Sequence, residues 1–199
     1  MKRLLLFVLL ASSCSRSTKP STPIWHDETG YRWRALDVPR DKLTPGFTLL
    51  DPSRTGIAFT NTVSESLIVK NRQLAQGAGV CIADVDGDGR PDVFLARTKG
   101  PNALYRNLGN WRFEDITASA GVAADDRIHT GCAFADVDGD GDQDLILLSL
   151  GGPNAIYLND GHGHFTEHRL ADSAGSMTVA VADVDGDGAL DLYVVNNKP

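Results

Sequence analysis

The string Asp-Val-Asp-Gly-Asp-Gly occurs three times, starting at Asp84, Asp136 and Asp183, and each copy carries a further aspartate at its ninth position, Asp92, Asp144 and Asp191. A shift of 52 residues lays the first copy on the second. It also lays the GPNALY of residues 100–105 on the GPNAIY of residues 152–157, and Asn107, Gly109 and Phe113 on Asn159, Gly161 and Phe165. The third copy follows the second by 47 residues. A period near fifty means that one supersecondary unit is repeated, each unit burying its faces against its neighbours.

One unit reads as four short strands. Residues 78–83 enter the acidic loop and 93–97 leave it. A Gly-Pro-Asn turn leads to 103–107, and a Leu-Gly-Asn turn to 111–117. Four antiparallel strands per repeat make a β-propeller blade, so the predicted class is all-β. Val80 and Ile82 alternate with Cys81 and Ala83, apolar on both faces, as expected of a sheet held between two others. Tyr105, Tyr157, Phe113 and Phe165 then serve as packing anchors.

The loops specify a hard cation. In the first, Asp84, Asp86 and Asp88 occupy positions one, three and five, the carbonyl of Arg90 supplies position seven and Asp92 closes the shell. Gly89 gives the turn its freedom at position six. The second loop offers Asp136, Asp138, Asp140, the carbonyl of Asp142 and Asp144. The third offers Asp183, Asp185, Asp187, the carbonyl of Ala189 and Asp191. All-oxygen, flexible shells of six to eight ligands suit Ca²⁺ better than Mg²⁺, at about three sites here. The loops contain no thiolate or imidazole, which disfavours zinc and copper.

An EF-hand would place a bidentate Glu at position twelve, where this chain has Leu95, Leu147 and Val194, each inside a β-prone apolar run. The loops hold 13 of the 26 acidic residues; without them the formal charge of -7 would be +6, and three divalent ions would bring it to -1. The acidity therefore belongs to local sites. No basic stripe points to nucleic acid.

The loops, embedded in A-D-V-D-G-D-G-x-x-D-L, resemble the FG-GAP/VCBS repeats of integrin-type propellers. Residues 100–122 look like the ASPIC/UnbV family of cartilage acidic protein-like proteins, the resemblance running from about Pro45 onward. It implies a calcium-loaded, secreted, non-catalytic propeller that serves as a binding or adhesion scaffold for an extracellular protein or glycan. Propellers close with about four to eight blades. Two complete units and part of a third predict an N-terminal fragment of a longer protein, 45–199 forming the repeat region. Residues 47–56 (FTLLDPSRTG) echo 113–121 (FEDITASAG) and read as the last strand of another blade.

Met1-Lys2-Arg3 and an apolar run to Ala11 read as an export signal, too short to span a bilayer. Cys14 after two serines resembles a bacterial lipobox, making residues 1–14 a signal peptide. Lipidation at Cys14 would be the chain's one membrane connection, at the cell envelope. Residues 15–44 form a Ser/Thr/Pro-rich tether and a pre-repeat segment. Cys81 and Cys132 fall on opposite faces of equivalent strands and read as small buried hydrophobes; a bridge between them is disfavoured, though their even number leaves one open. A carbohydrate-active or quinoprotein-type propeller enzyme is one competing reading, with His129, His162, His164 and His168 as its candidates, and a purely structural envelope lipoprotein is the other. However, His162 and His164 sit in an N-D-G-H-G-H turn, and no G-x-S-x-G elbow is present.

Overall fold

The computed structural model describes residues 24–29, 31–34, 47–171 and 175–197. The export signal with Cys14, and the tether up to Pro23, lie outside the described residues. The chain divides into two units, Met1–Thr48 and Leu49–Pro199. In the first unit, β1 (His26–Glu28) and β2 (Tyr31–Trp33) pair antiparallel. The His26 ring stacks on Trp33 with centroids 4.2 Å apart, giving form to the pre-repeat segment.

The second unit consists of blade sheets. β3 (Val80–Ala83), β4 (Asp92–Leu95), β5 (Ala103–Asn107) and β6 (Phe113–Asp115) form one four-stranded antiparallel sheet in sequence order. β7 (Ile128–Ala135), β8 (Asp144–Leu150), β9 (Ala155–Asn159) and β10 (Phe165–Arg169) form the next, and β11 (Ser176–Ala182) with β12 (Asp191–Asn196) a two-stranded third. The first strands line up side by side: β7 packs against β3 on one side and β11 on the other. The glycines permit this approach. A methyl at Gly79 would lie 2.9 Å from the Cys132 amide nitrogen, and one at Gly131 3.0 Å from the Met177 carbonyl.

Burial follows the stacking. In the middle sheet, every residue of β8 is buried, the continuous apolar run of a strand covered on both faces. Phe94 and Leu104 from the first sheet join Leu145, Leu147 and Tyr157 from the second in one core. The Phe94 ring meets Phe134 edge-on at 6.5 Å. Each fully buried Leu or Phe contributes about 1.5–3 kcal/mol. In β3 only one face is covered: Cys81 and Ala83 pack into the core, whereas Val80 and Ile82 remain 59% and 61% exposed. The expected sandwich therefore holds for the middle sheet, and on one face for the first.

Several strand limits differ from the sequence expectation. The fourth strand was expected over 111–117, but Asn110 and Trp111 both have positive φ and belong to the turn. At its other end Thr117 opens α3 (Thr117–Ala120). The Thr117 hydroxyl donates to Asp115 Oδ1 and accepts from the Leu104 amide, which ends pairing at Asp115. The second strand stops at Leu95 rather than Arg97, whose N–H turns to Asn102 Oδ1 at 2.8 Å.

The echo at 47–56 resolves as a short helix rather than a strand. Asp51 caps α1 (Pro52–Thr55), Pro standing at its first turn, and Gly56 ends it in the left-handed region, as Gly121 ends α3. The equivalence is structural as well. Gly56 abuts the Phe113 carbonyl of β6, and Gly121 the Phe165 carbonyl of β10. Two further short helices, α2 (Glu65–Lys70) and a 3₁₀ turn at Arg72–Gln76, precede the first sheet.

Candidate metal centre

Each acidic loop connects the first and second strands of a sheet, β3–β4, β7–β8 and β11–β12, so all three open at the same end of their sheets. The turn is built by the aspartates and made possible by two glycines. Gly87 and Gly89, at positions four and six, have φ of 72° and 82°, and the other loops repeat this. An L-residue with a Cβ resists that region. Position six was expected from the motif; position four was not.

The carboxylates organise the backbone in the same pattern each time. At position one, Asp84 Oδ2 accepts from the Gly89 amide at 2.8 Å, Asp136 Oδ2 from Gly141 at 3.1 Å and Asp183 Oδ2 from Gly188 at 3.0 Å. At position three, Asp86, Asp138 and Asp185 accept from the amide two residues on, at 3.2–3.3 Å. At position five, Asp88, Asp140 and Asp187 accept from the amides of Arg90, Asp142 and Ala189. At position nine, Oδ2 of Asp92, Asp144 and Asp191 holds the amide of the valine at position two, at 2.9–3.0 Å.

These bonds bring three carboxylates per loop together. Asp84, Asp86 and Asp92 each present an oxygen within 4.8 Å of the others, and so do Asp136, Asp138 and Asp144, and Asp183, Asp185 and Asp191. The position-five aspartates are not in these clusters. Asp88 instead pairs with the Arg90 guanidinium, which also donates to the Asn107 carbonyl. Asp92 is fully buried, and burial holds its carboxyl above the usual range. The amide bonds from Val85 and Asn107 pull the other way, and the charges of Asp86 and Asp88 add to the rise. A buried carboxylate beside two others lacks positive charge, and an all-oxygen donor set of this kind fits a hard divalent cation.

The repeat unit seen here carries a family signature. The FG-GAP-like repeat pattern matches residues 84–147 and again 136–194, together more than half of the chain. The chain belongs to the FG-GAP-like repeat family. Its similarity extends to cartilage acidic protein 1: 33% identity to the mouse protein over 114 residues and 32% to the human protein over 128. These stretches cover 57% and 64% of this chain but only 17% and 19% of those relatives, so the chain spans less than a fifth of their length.

Within the FG-GAP-like units, Asn107 and Asn159 support the loops without being foreseen as site residues. The second oxygen of the position-nine aspartate reaches the next hairpin: Asp92 Oδ1 accepts from the Asn107 amide at 2.7 Å and Asp144 Oδ1 from the Asn159 amide at 2.9 Å. The asparagine side chains then tie the loop in place. Asn107 Nδ2 donates to the Pro91 carbonyl at 2.9 Å and Asn159 Nδ2 to Gln143 at 3.2 Å. Asn159 also donates across the sheet boundary to the Val85 carbonyl at 2.9 Å, joining one unit to the acidic loop of the previous one. The sequence signal was available, since Asn107 and Asn159 occupy the same place in the 52-residue repeat.

The histidines do not converge. His129 is buried and hydrogen-bonds the Ala124 carbonyl through Nε2 at 2.7 Å, with Nδ1 3.5 Å from Ser149 Oγ. His162 and His164 are exposed in the β9–β10 turn, where their amides donate to Asp160, and His168 is exposed on β10.

Proposed function

We propose that this chain is a calcium-stabilised, exported binding scaffold built from FG-GAP-like blades, and that it does not act as a catalyst. The observation that carries the reading is the threefold cluster of Asp carboxylates at positions one, three and nine, each beside a turn with left-handed glycines. Ca²⁺ supplies positive charge and oxygen-tolerant coordination at each cluster. The position-seven carbonyls of Arg90, Asp142 and Ala189 and the position-five carboxylates complete the shell after a small rearrangement of Asp88, Asp140 and Asp187. With the cation in place, the turn joining the two strands is fixed and the inner strands keep their spacing.

The ligand is an extracellular protein or glycan. A cavity of about 430 Å³ suits such a role; it lies at the ends of the strands away from the acidic loops and is lined by Thr98, Lys99, Asp125, Asp126, Arg127 and Leu150 among others. The amino-terminal leader supports export, and Cys14 supports a lipid anchor at the cell envelope. Calorimetric titration of chelator-treated protein with CaCl₂ tests the metal assignment. Saturable heat corresponding to about three sites, with affinities of about 10⁻⁴ to 10⁻³ M, is the expected result. Absence of heat refutes it.

A further inference from the structure

Cys81 and Cys132 are free thiols, both half-buried and both packed against the core shared by the first two sheets. Their placement corrects the expectation that opposite faces keep them apart. Each sheet presents one face to the unit before it and the other to the unit after it. Equivalent strands of adjacent units therefore meet through opposite faces. Gly79, one residue before β3, and Cys81 lie on the same side of the chain, the side turned toward β7. A methyl at Gly79 would sit 2.9 Å from the Cys132 amide nitrogen, which fixes how closely the two backbones run at this register. Cys132 stands near enough to Cys81 to push its thiol up, after burial.

We propose that Cys81 and Cys132 form a modification site, a dithiol that closes to an inter-unit disulfide stapling the innermost strands β3 and β7. The oxidant is an external disulfide. One thiol loses its proton to water, and its sulfur attacks a sulfur of that disulfide. A mixed disulfide forms and one external thiolate leaves. The second cysteine, deprotonated in turn, attacks the protein sulfur of the mixed disulfide and releases the other external thiolate. Two electrons pass to the external disulfide, which ends as two thiols, and the protein loses two hydrogens. Burial first, and then contact with Cys132, pushes the Cys81 thiol up, so closure accelerates as the pH rises.

The full chain carrying Cys14→Ser is incubated with oxidised glutathione, denatured in maleimide, and examined by intact mass and peptide mapping. The expected product has lost two hydrogens, carries no maleimide, and yields one linked peptide pair containing Cys81 and Cys132. It also melts at a higher temperature than the same sample after dithiothreitol. Two maleimide adducts, stable glutathione on both cysteines, or identical melts before and after reduction would overturn the proposal. With Cys81→Ser the reaction stops at one glutathione adduct on Cys132; should that variant fail to fold, the measurements on the parent chain decide alone.

Discussion

The position-nine aspartates have two separable roles, and the pair Asp144→Ala and Asp138→Ala divides them. Asp144 is fully buried, and its two oxygens hold the Val137 amide at 2.9 Å and the Asn159 amide at 2.9 Å. Truncation leaves two donors without partners, at about 1–3 kcal/mol each, so about 2–6 kcal/mol is lost whether or not calcium is present. For a unit of this size, that lowers the melting temperature by on the order of 10 °C. Asp138 is exposed and accepts one long bond from Asp140, so its truncation leaves the melt in chelator unchanged. It loses instead the rise produced at that loop by calcium, which for one site at ~100 times its dissociation constant is about 2.7 kcal/mol. Thermal unfolding followed by circular dichroism, in EDTA and in excess calcium, reads both. Asp144→Asn keeps one acceptor and falls between. If Asp144→Ala melts with the parent in EDTA, the scaffolding role is wrong. If Asp138→Ala already falls in EDTA, the separation of roles is wrong.

Asn159→Ala removes the link to the buried Val85 carbonyl together with its Gln143 and Gly163 bonds and costs about 2–3 kcal/mol in urea unfolding, whereas Asn107→Ala, which loses the corresponding Pro91 and Gly109 bonds but no inter-unit link, costs under about 1.5 kcal/mol. Equal losses would show that the inter-unit bond contributes nothing. His129 is kept neutral chiefly by burial, its pKa lowered from 6.5. A lowered folded value means that the unfolded chain takes up the proton first. The stability is therefore complete above about pH 6.5 and declines as the pH falls toward the folded value. Urea midpoints measured in chelator from about pH 7 to about pH 5.5 should drop for the parent and stay flat for His129→Asn; a flat parent profile counts against the burial argument.

How far the residues announce the structure depends on whether a feature is decided within one unit or between units. The third strand was placed at its observed limits, 103–107, because Gly-Pro-Asn fixes its start and Asn-Leu-Gly its end, both through local turn chemistry. The loop clusters were legible for the same reason, since positions one, three and nine converge through bonds spanning at most seven residues. The fourth strand failed at Trp111, where the chain takes a left-handed conformation that its side chain does not advertise. Position five stands apart from those clusters: its carboxylate accepts from the amide two residues on, and at Asp88 a guanidinium pairs with it as well, a competition that a spacing rule does not display.

The features decided between units were the harder ones. Face arithmetic correctly set Cys81 and Cys132 on opposite sides of equivalent strands, but stacking turns opposite sides toward each other. The same arithmetic explains why Val80, equivalent to Cys132, is exposed: it lies on the face of β3 turned away from β7. In a stacked repeat, a residue and its copy one period later address different neighbours. A partner for any position is therefore found by pairing one face of a unit with the other face of the next, the relation that also carries Asn159 to Val85.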